Sequence, residues 1–221
     1  MPELPLFPLG SVLLPGAPLA LRVFEPRYLA LLHDLGDRPP QERAFGVVAI
    51  RRGHEVGTRV QPVLATHGTA ARITEISPGP PGPAGATFHV TAVGGDRFVL
   101  ESLRTAEGGY YVGEVTWLQD LPADPDSLAR AEEDTREAYR DFLLSVGAPP
   151  GMPDLEGERL AYEIMSTVAL PLTDRQQVLA ENDPVVRLSL VARLLRREAV
   201  LFGGLRLMPA ETRSFGVPSQ N

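Results

Sequence analysis

Four histidines, His33, His54, His67 and His89, are the side chains of this sequence best suited to hold a metal or move a proton near neutral pH. Their spacing supports neither role. There is no His-x-His and no His-Glu-x-x-His, and His54-Glu55 is only a fragment of the latter, so satisfied surface or loop imidazoles are the simpler reading and no metal or other cofactor is expected. Nucleophiles are equally scarce. With no Cys the chain has no thiolate, thiol metal site or disulfide. All 21 basic residues are Arg. Without a lysine amine there is no P-loop contact to a nucleotide phosphate, no Schiff base and no Ser-Lys dyad, because a planar guanidinium cannot replace that group. Gly10-Ser11 lies among prolines rather than on a Gly-x-Ser-x-Gly elbow, and no Gly-x-Gly-x-x-Gly follows a strand. The run Glu132-Glu133-Asp134 reads as a solvated helix face near a helix start, where negative charge is favourable. Trp117, the sole tryptophan, reads as a core or domain-junction anchor before it reads as a ligand-stacking platform.

Composition narrows the classes further. A net charge of -7 opposes a surface that tracks phosphates, and the cluster Arg51, Arg52 and Arg59 is the one foothold for RNA, so no nucleic-acid partner is expected. With 43% hydrophobic and 22% charged residues the mixture is that of a folded globular chain. The apolar opening Met1 to Leu21 has no basic n-region and contains five prolines, and no later run reaches the length of a membrane span. The expectation is a soluble, cytoplasmic protein without a membrane partner.

The elements fall into two blocks, 1–121 rich in strands and 122–221 rich in helices. Phe45 to Ile50 is a continuous apolar run, Thr87 to Val93 alternates, and Phe98 to Leu103 and Tyr110 to Leu118 add further strands. Val93-Gly94-Gly95-Asp96-Arg97 between two of these predicts a tight hairpin at positive φ. Ser77 to Ala86, rich in Pro and Gly, predicts a mobile hairpin loop. One short helix starts at Pro26, carries Leu29, Leu32 and Leu35 on one face and stops at Gly36.

Four helices are expected in the second block, starting at Asp124-Pro125, after Gly157, at Thr173 with Gln176 as a capping box, and at Asp183-Pro184. In the second of these, Leu160, Ala161, Ile164, Met165 and Val168 recur at helical spacing. In the last, Ser189, Arg193, Arg196 and Arg197 form a polar face, while Arg187 and Glu198 fall on the apolar side. Each of those two either meets a partner across an interface or extends its charge to solvent.

Leu4 to Leu9 (LPLFPL), Val12 to Gly16 (VLLPG) and Leu19 to Tyr28 (LALRVFEPRY) resemble the N-terminal substrate-recognition domain of the Lon protease family. Phe45 to Val48, Gly68 to Ile73 and Val93 to Phe98 agree with it too. The likeness is strongest to stand-alone proteins made of this domain only. It implies an α+β fold in which a strand-rich, PUA-like pseudo-barrel with one short helix precedes a helical bundle. It also implies recognition of unfolded or extended polypeptide without ATPase or peptidase parts, alongside a protease or chaperone partner. Phe24, Glu25, Arg27, Tyr28, Arg97 and Trp117 are then the candidate polypeptide-binding residues. A scaffold role competes for them: Pro26 starts the helix, Tyr28 packs, and Glu25 pairs with Arg27.

Overall fold

Phe98 is the side chain around which the strands close. The computed structural model describes residues 1–52, 62–82, 85–149, 151, 153 and 156–206. Among them are six strands, β1 (Glu3–Leu9), β2 (Pro18–Val23), β3 (Ala44–Arg52), β4 (Val63–Gly82), β5 (Gly85–Thr105) and β6 (Tyr111–Trp117). They also include five α-helices, α1 (Pro26–Gly36), α2 (Pro125–Val146), α3 (Glu158–Thr167), α4 (Leu172–Ala180) and α5 (Pro184–Arg206). The fold is α+β. β1 pairs in parallel with β3 and antiparallel with β6, and β3–β4, β4–β5 and β5–β6 are antiparallel, so these five strands form a closed circuit. That circuit is the barrel the resemblance implies, and β2 lies outside it on the first half of β5.

Alternation along the strands fills the barrel. Leu4 and Leu6, Val48, Ala70, Phe98 and Val115 form one buried cluster, one or two from each strand. A large ring needs small residues opposite it, and a Cβ on Gly68 would lie 2.4 Å from the Phe98 ring. The outward side chains Phe7, Phe45 and Val112 meet Tyr28, Leu31 and Leu35 of α1 in a second cluster. Helix α1 begins and ends where the sequence predicts. Leu29 of its expected apolar face is only partly covered, and Tyr28 and Leu31 are buried in its place. The third cluster joins the helices to Val12, Leu14, Ala49 and Ala65 of the strand-rich part.

The Gly94-Gly95 hairpin is not there. β5 runs through it unbroken, and Gly94 is absent from the positive-φ glycines. Instead, β4 advances from Thr69 to Ala71 while β5 advances from Arg97 to Gly94, which makes a β-bulge where β5 turns from the ribbon into the barrel. Gly94 is needed for space: a Cβ there would meet the Leu14 carbonyl oxygen at 2.2 Å. The VLLPG segment lies across the bulge. Gly16 N–H donates to Gly94 O, Gly94 N–H to Ala17 O, and the buried Thr69 hydroxyl to Leu13 O at 2.7 Å. Leu13 thereby enters the α1 core while Leu14 enters the helical core.

Two further expectations change. Ser77 to Gly82 is paired strand, with Pro78 opposite Phe88 and Thr87 donating to Pro80 O, because prolines whose missing N–H faces away from the ladder are tolerated in an edge strand. Pro83 and Ala84 of that stretch lie outside the described residues. Helix α4 starts at Leu172 after Pro171, so Thr173 is no cap, and Gln176 instead donates to His67 O at 2.8 Å. The starts at Asp124, Gly157 and Asp183 hold. Asp124 accepts from Ser127 N–H, and Asp183 from the Val185 and Val186 amides. Among the described residues no helix is long and apolar enough to cross a membrane.

Gly94→Ala should lower stability by roughly 1–3 kcal/mol, as overpacking against an immobile backbone does, measured by denaturant unfolding. Tyr110, which donates to Asp34 at 2.5 Å, has its phenol pushed up to about 12 by burial and then by that hydrogen bond. The native state therefore holds the proton longer than the unfolded chain, and this contribution is present below pH ~10 and lost as pH rises towards ~12. Ultraviolet titration should show one phenol ionising late, and Asp34→Asn should bring it earlier.

Candidate functional site

The candidate residues separate into two places. Glu25, Arg27 and Tyr28 are held at the start of α1. Tyr28 is buried and stacks on Phe7 with centroids 3.9 Å apart, the Arg27 guanidinium lies 4.5 Å from the Tyr28 ring, and Arg27 pairs with Glu25 at 2.9 Å. This is the scaffold arrangement. Phe24, beside it, is 41% exposed.

Arg97 and Trp117 sit together at the other end of the strands. Trp117 is opposite Phe98 on the β5–β6 ladder and meets it edge-on at 6.2 Å, leaving its own ring 39% exposed. Trp117 thus touches the barrel core through Phe98 while the residue stays partly open to solvent. Arg97 is 5% exposed and acts as a tie: it donates to Leu179 O and Glu181 O at 2.7 Å, to Asn182, and to the Asp120 carboxylate.

Asp120 is the residue that sequence reasoning missed. It lies between β6 and α2 and also takes two hydrogen bonds, at 2.7 and 2.8 Å, from Arg187 of α5, whose side chain is fully buried. The Arg187 guanidinium covers the Tyr162 ring at 4.6 Å. The charge on the apolar side of α5 therefore does find a partner across an interface. Glu198 does not. It pairs with the adjacent Arg197, which reaches Asp174 on α4 at 2.7 Å. A buried arginine on an apolar helix face demands a nearby acid, so Arg187 was a signal that such an acid exists, though not of its position.

A cleft of about 540 Å³ opens over this junction, lined by Gly16, Arg72, Gly95, Asp96, Arg97, Asp120, Arg159 and Tyr162 among others. A second, of about 520 Å³ and more apolar, lies between the Gly10–Leu13 loop, the start of β2 and the α3–α4 link, with Arg175 in its wall. The acid run on α2 is a solvated face at Glu133 and Asp134, as expected, with Glu132 partly buried. Glu132 accepts from Gly157 N–H, and Asp134 pairs with Arg196 of α5 at 2.6 Å, a contact that holds the Asp134 carboxyl below its ordinary range. His67, beside Thr66, is pushed down by burial and then by the Arg97 charge. His54, Glu55 and Arg59 lie outside the described residues. Among the described residues no three His, Asp or Glu side chains converge as a metal site would need.

This geometry has a family. The model of the substrate-binding domain of ATP-dependent protease La (LON) matches residues 3–197. The chain belongs to the Lon substrate-binding domain family. Among solved structures, the Lon N-terminal domain protein from Xanthomonas campestris is 32% identical with a TM-score of 0.60, over 88% of this chain and 98% of that one. The N-terminal domain of Mycobacterium avium complex Lon protease shares the fold at 16% identity and a TM-score of 0.63, over 90% of this chain and 98% of that one. Lon protease 4 of Sorangium cellulosum is 30% identical over 89% of this chain, which spans 24% of that protein.

Asp120→Asn should leave two buried guanidiniums without their anion and destabilise by about 3–5 kcal/mol in denaturant unfolding. Glu133→Gln, which removes an exposed partner of Arg140, should have a far smaller effect.

Proposed function

We propose that this chain is a non-catalytic recognition module for unfolded or extended polypeptide, acting in the cytoplasm with a protease or a chaperone. The observation that carries this reading is the match of residues 3–197 to a domain described as substrate-binding. In this reading 1–121 does the recognising and 122–221 carries it. Phe24 and Trp117 are the contact residues, because each presents a large exposed ring on a fixed backbone. Glu25, Arg27, Tyr28 and Arg97 set the positions of those rings. Binding of this kind needs apolar contact and main-chain hydrogen bonds and no bond-making step.

Fluorescence anisotropy with a labelled, permanently unfolded polypeptide tests it, with the folded counterpart and a single-stranded RNA as controls at low and high salt. Saturable binding of the unfolded chain with little salt dependence is expected, weakened several-fold by Trp117→Ala or Phe24→Ala. Equal binding of folded and unfolded chains, or steeply salt-dependent binding of the RNA alone, would overturn the reading.

A further inference from the structure

β2 has one hydrogen-bonded neighbour, β5, and its other edge carries no strand among the described residues. The register says which backbone groups face that edge. Gly94 N–H donates to Ala17 O, so the Ala17 carbonyl faces β5, and by alternation along the ladder Leu19, Leu21 and Val23 point their amides and carbonyls at β5. The intervening residues point away from it: the Pro18 carbonyl, and both the N–H and C=O of Ala20 and of Arg22. Pro18, Ala20 and Arg22, whose backbone groups face this edge, are all exposed residues. A proline at its start and an arginine near its end blunt such a short edge against self-pairing, while it remains able to take an extended segment of another chain.

The start of this edge opens into the apolar cleft, whose wall holds Arg175. That guanidinium is half-buried and meets only carbonyls, Met165 O at 3.2 Å and Val12 O at 3.3 Å, with its Nε buried and unbonded. No described carboxylate pairs with it, in contrast to Arg97, Arg187 and Arg197, each of which meets one. Burial without a counter-charge pushes its pKa down. A half-buried cation held by neutral acceptors at the end of a free strand edge is complementary to an anion arriving on that strand.

We propose that an extended polypeptide adds to the outer edge of β2 and sets a carboxylate against Arg175. Because the cleft lies at the Pro18 end, a chain whose C-terminal end reaches Arg175 runs antiparallel to β2, exchanging paired hydrogen bonds with Ala20 and Arg22. This rests on the polypeptide-recognition reading and names its surface and the polarity of its occupant.

Three measurements decide it. Residue-resolved hydrogen exchange on the wild-type protein should show the Ala20 and Arg22 amides gaining protection when the labelled unfolded polypeptide is added. Ala20→Pro removes an N–H that faces away from β5 and should weaken that polypeptide about tenfold or more while the thermal transition persists. A short peptide matched to β2 with a free C-terminal carboxylate should compete about tenfold better than its C-terminal amide, and Arg175→Gln should erase the difference. An amidated peptide ending in glutamate distinguishes a side-chain carboxylate from the chain terminus. If the polypeptide binds but the Ala20 and Arg22 amides stay unprotected, or Ala20→Pro binds as wild type, the edge assignment is overturned while recognition itself stands. Equal competition by acid and amide overturns the role of Arg175. Should wild type bind no unfolded chain at all, the recognition reading falls and this one with it. If Ala20→Pro does not fold, exchange on the wild-type protein decides alone.

Discussion

Asp120 carries one negative charge, and two guanidiniums that are almost wholly out of water depend on it. Arg97 comes from the bend of β5 and Arg187 from the first turn of α5, so the sheet and the helical bundle share one carboxylate in the link between β6 and α2. A buried cation is tolerated only with an anion and a full set of acceptors. Here the carbonyls of Leu179 and Glu181 and the Asn182 side chain add acceptors to the Asp120 carboxylate. The requirement reaches outward. It fixes the end of α4 against β5, aligns α5 over Tyr162, and places Trp117 three residues before the acid, against the Phe98 ring and partly in solvent.

The bend of β5 has a second determinant in the backbone itself. The bulge at Gly94 and Gly95 lets the strand serve the ribbon with its first half and the barrel with its second, and the VLLPG segment is hydrogen-bonded across the gap that the missing side chain leaves. Two adjacent leucines then lock different cores. The motif that carries the family resemblance is thus a joint between layers, which gives its spacing a physical reason apart from any ligand contact.

Helix starts other than that of α4 were readable because their signals are local: proline at the first turn, aspartate at the cap, a period of three to four apolar residues. Of the barrel strands, β3, the second half of β5 and β6 were readable from apolar runs, whereas β1 and β4, broken by prolines and small residues, were not. The glycine pair misled because a missing Cβ serves positive φ and close packing alike, and only Leu14, eighty residues earlier in the chain, decides between them. Prolines between Ser77 and Gly82 misled because a strand edge excuses the N–H they lack. Of the candidate site, the corner around Tyr28 was legible as scaffold, and Arg187 was legible as a charge in search of a partner. Asp120 was not, since nothing in its own neighbourhood marks it apart from Asp124 or Asp126. The outward groups of β2 depend on pairing parity, which is a property of the register and not of residue type.

The place of β1 in the barrel bears on how the chain is made. β1 lies between β3 and β6, with Glu3 opposite Glu114, so of the six described strands it is made earliest yet gains its second neighbour only with β6. At ordinary translation speeds of roughly 5–20 residues per second, that interval is about 5–20 s. Leu4 and Leu6 wait through it without the barrel that buries them, and the anion at Asp120 waits longer still for Arg187. For that time β1 is an apolar segment held in water, with the aggregation risk that transiently exposed strands carry.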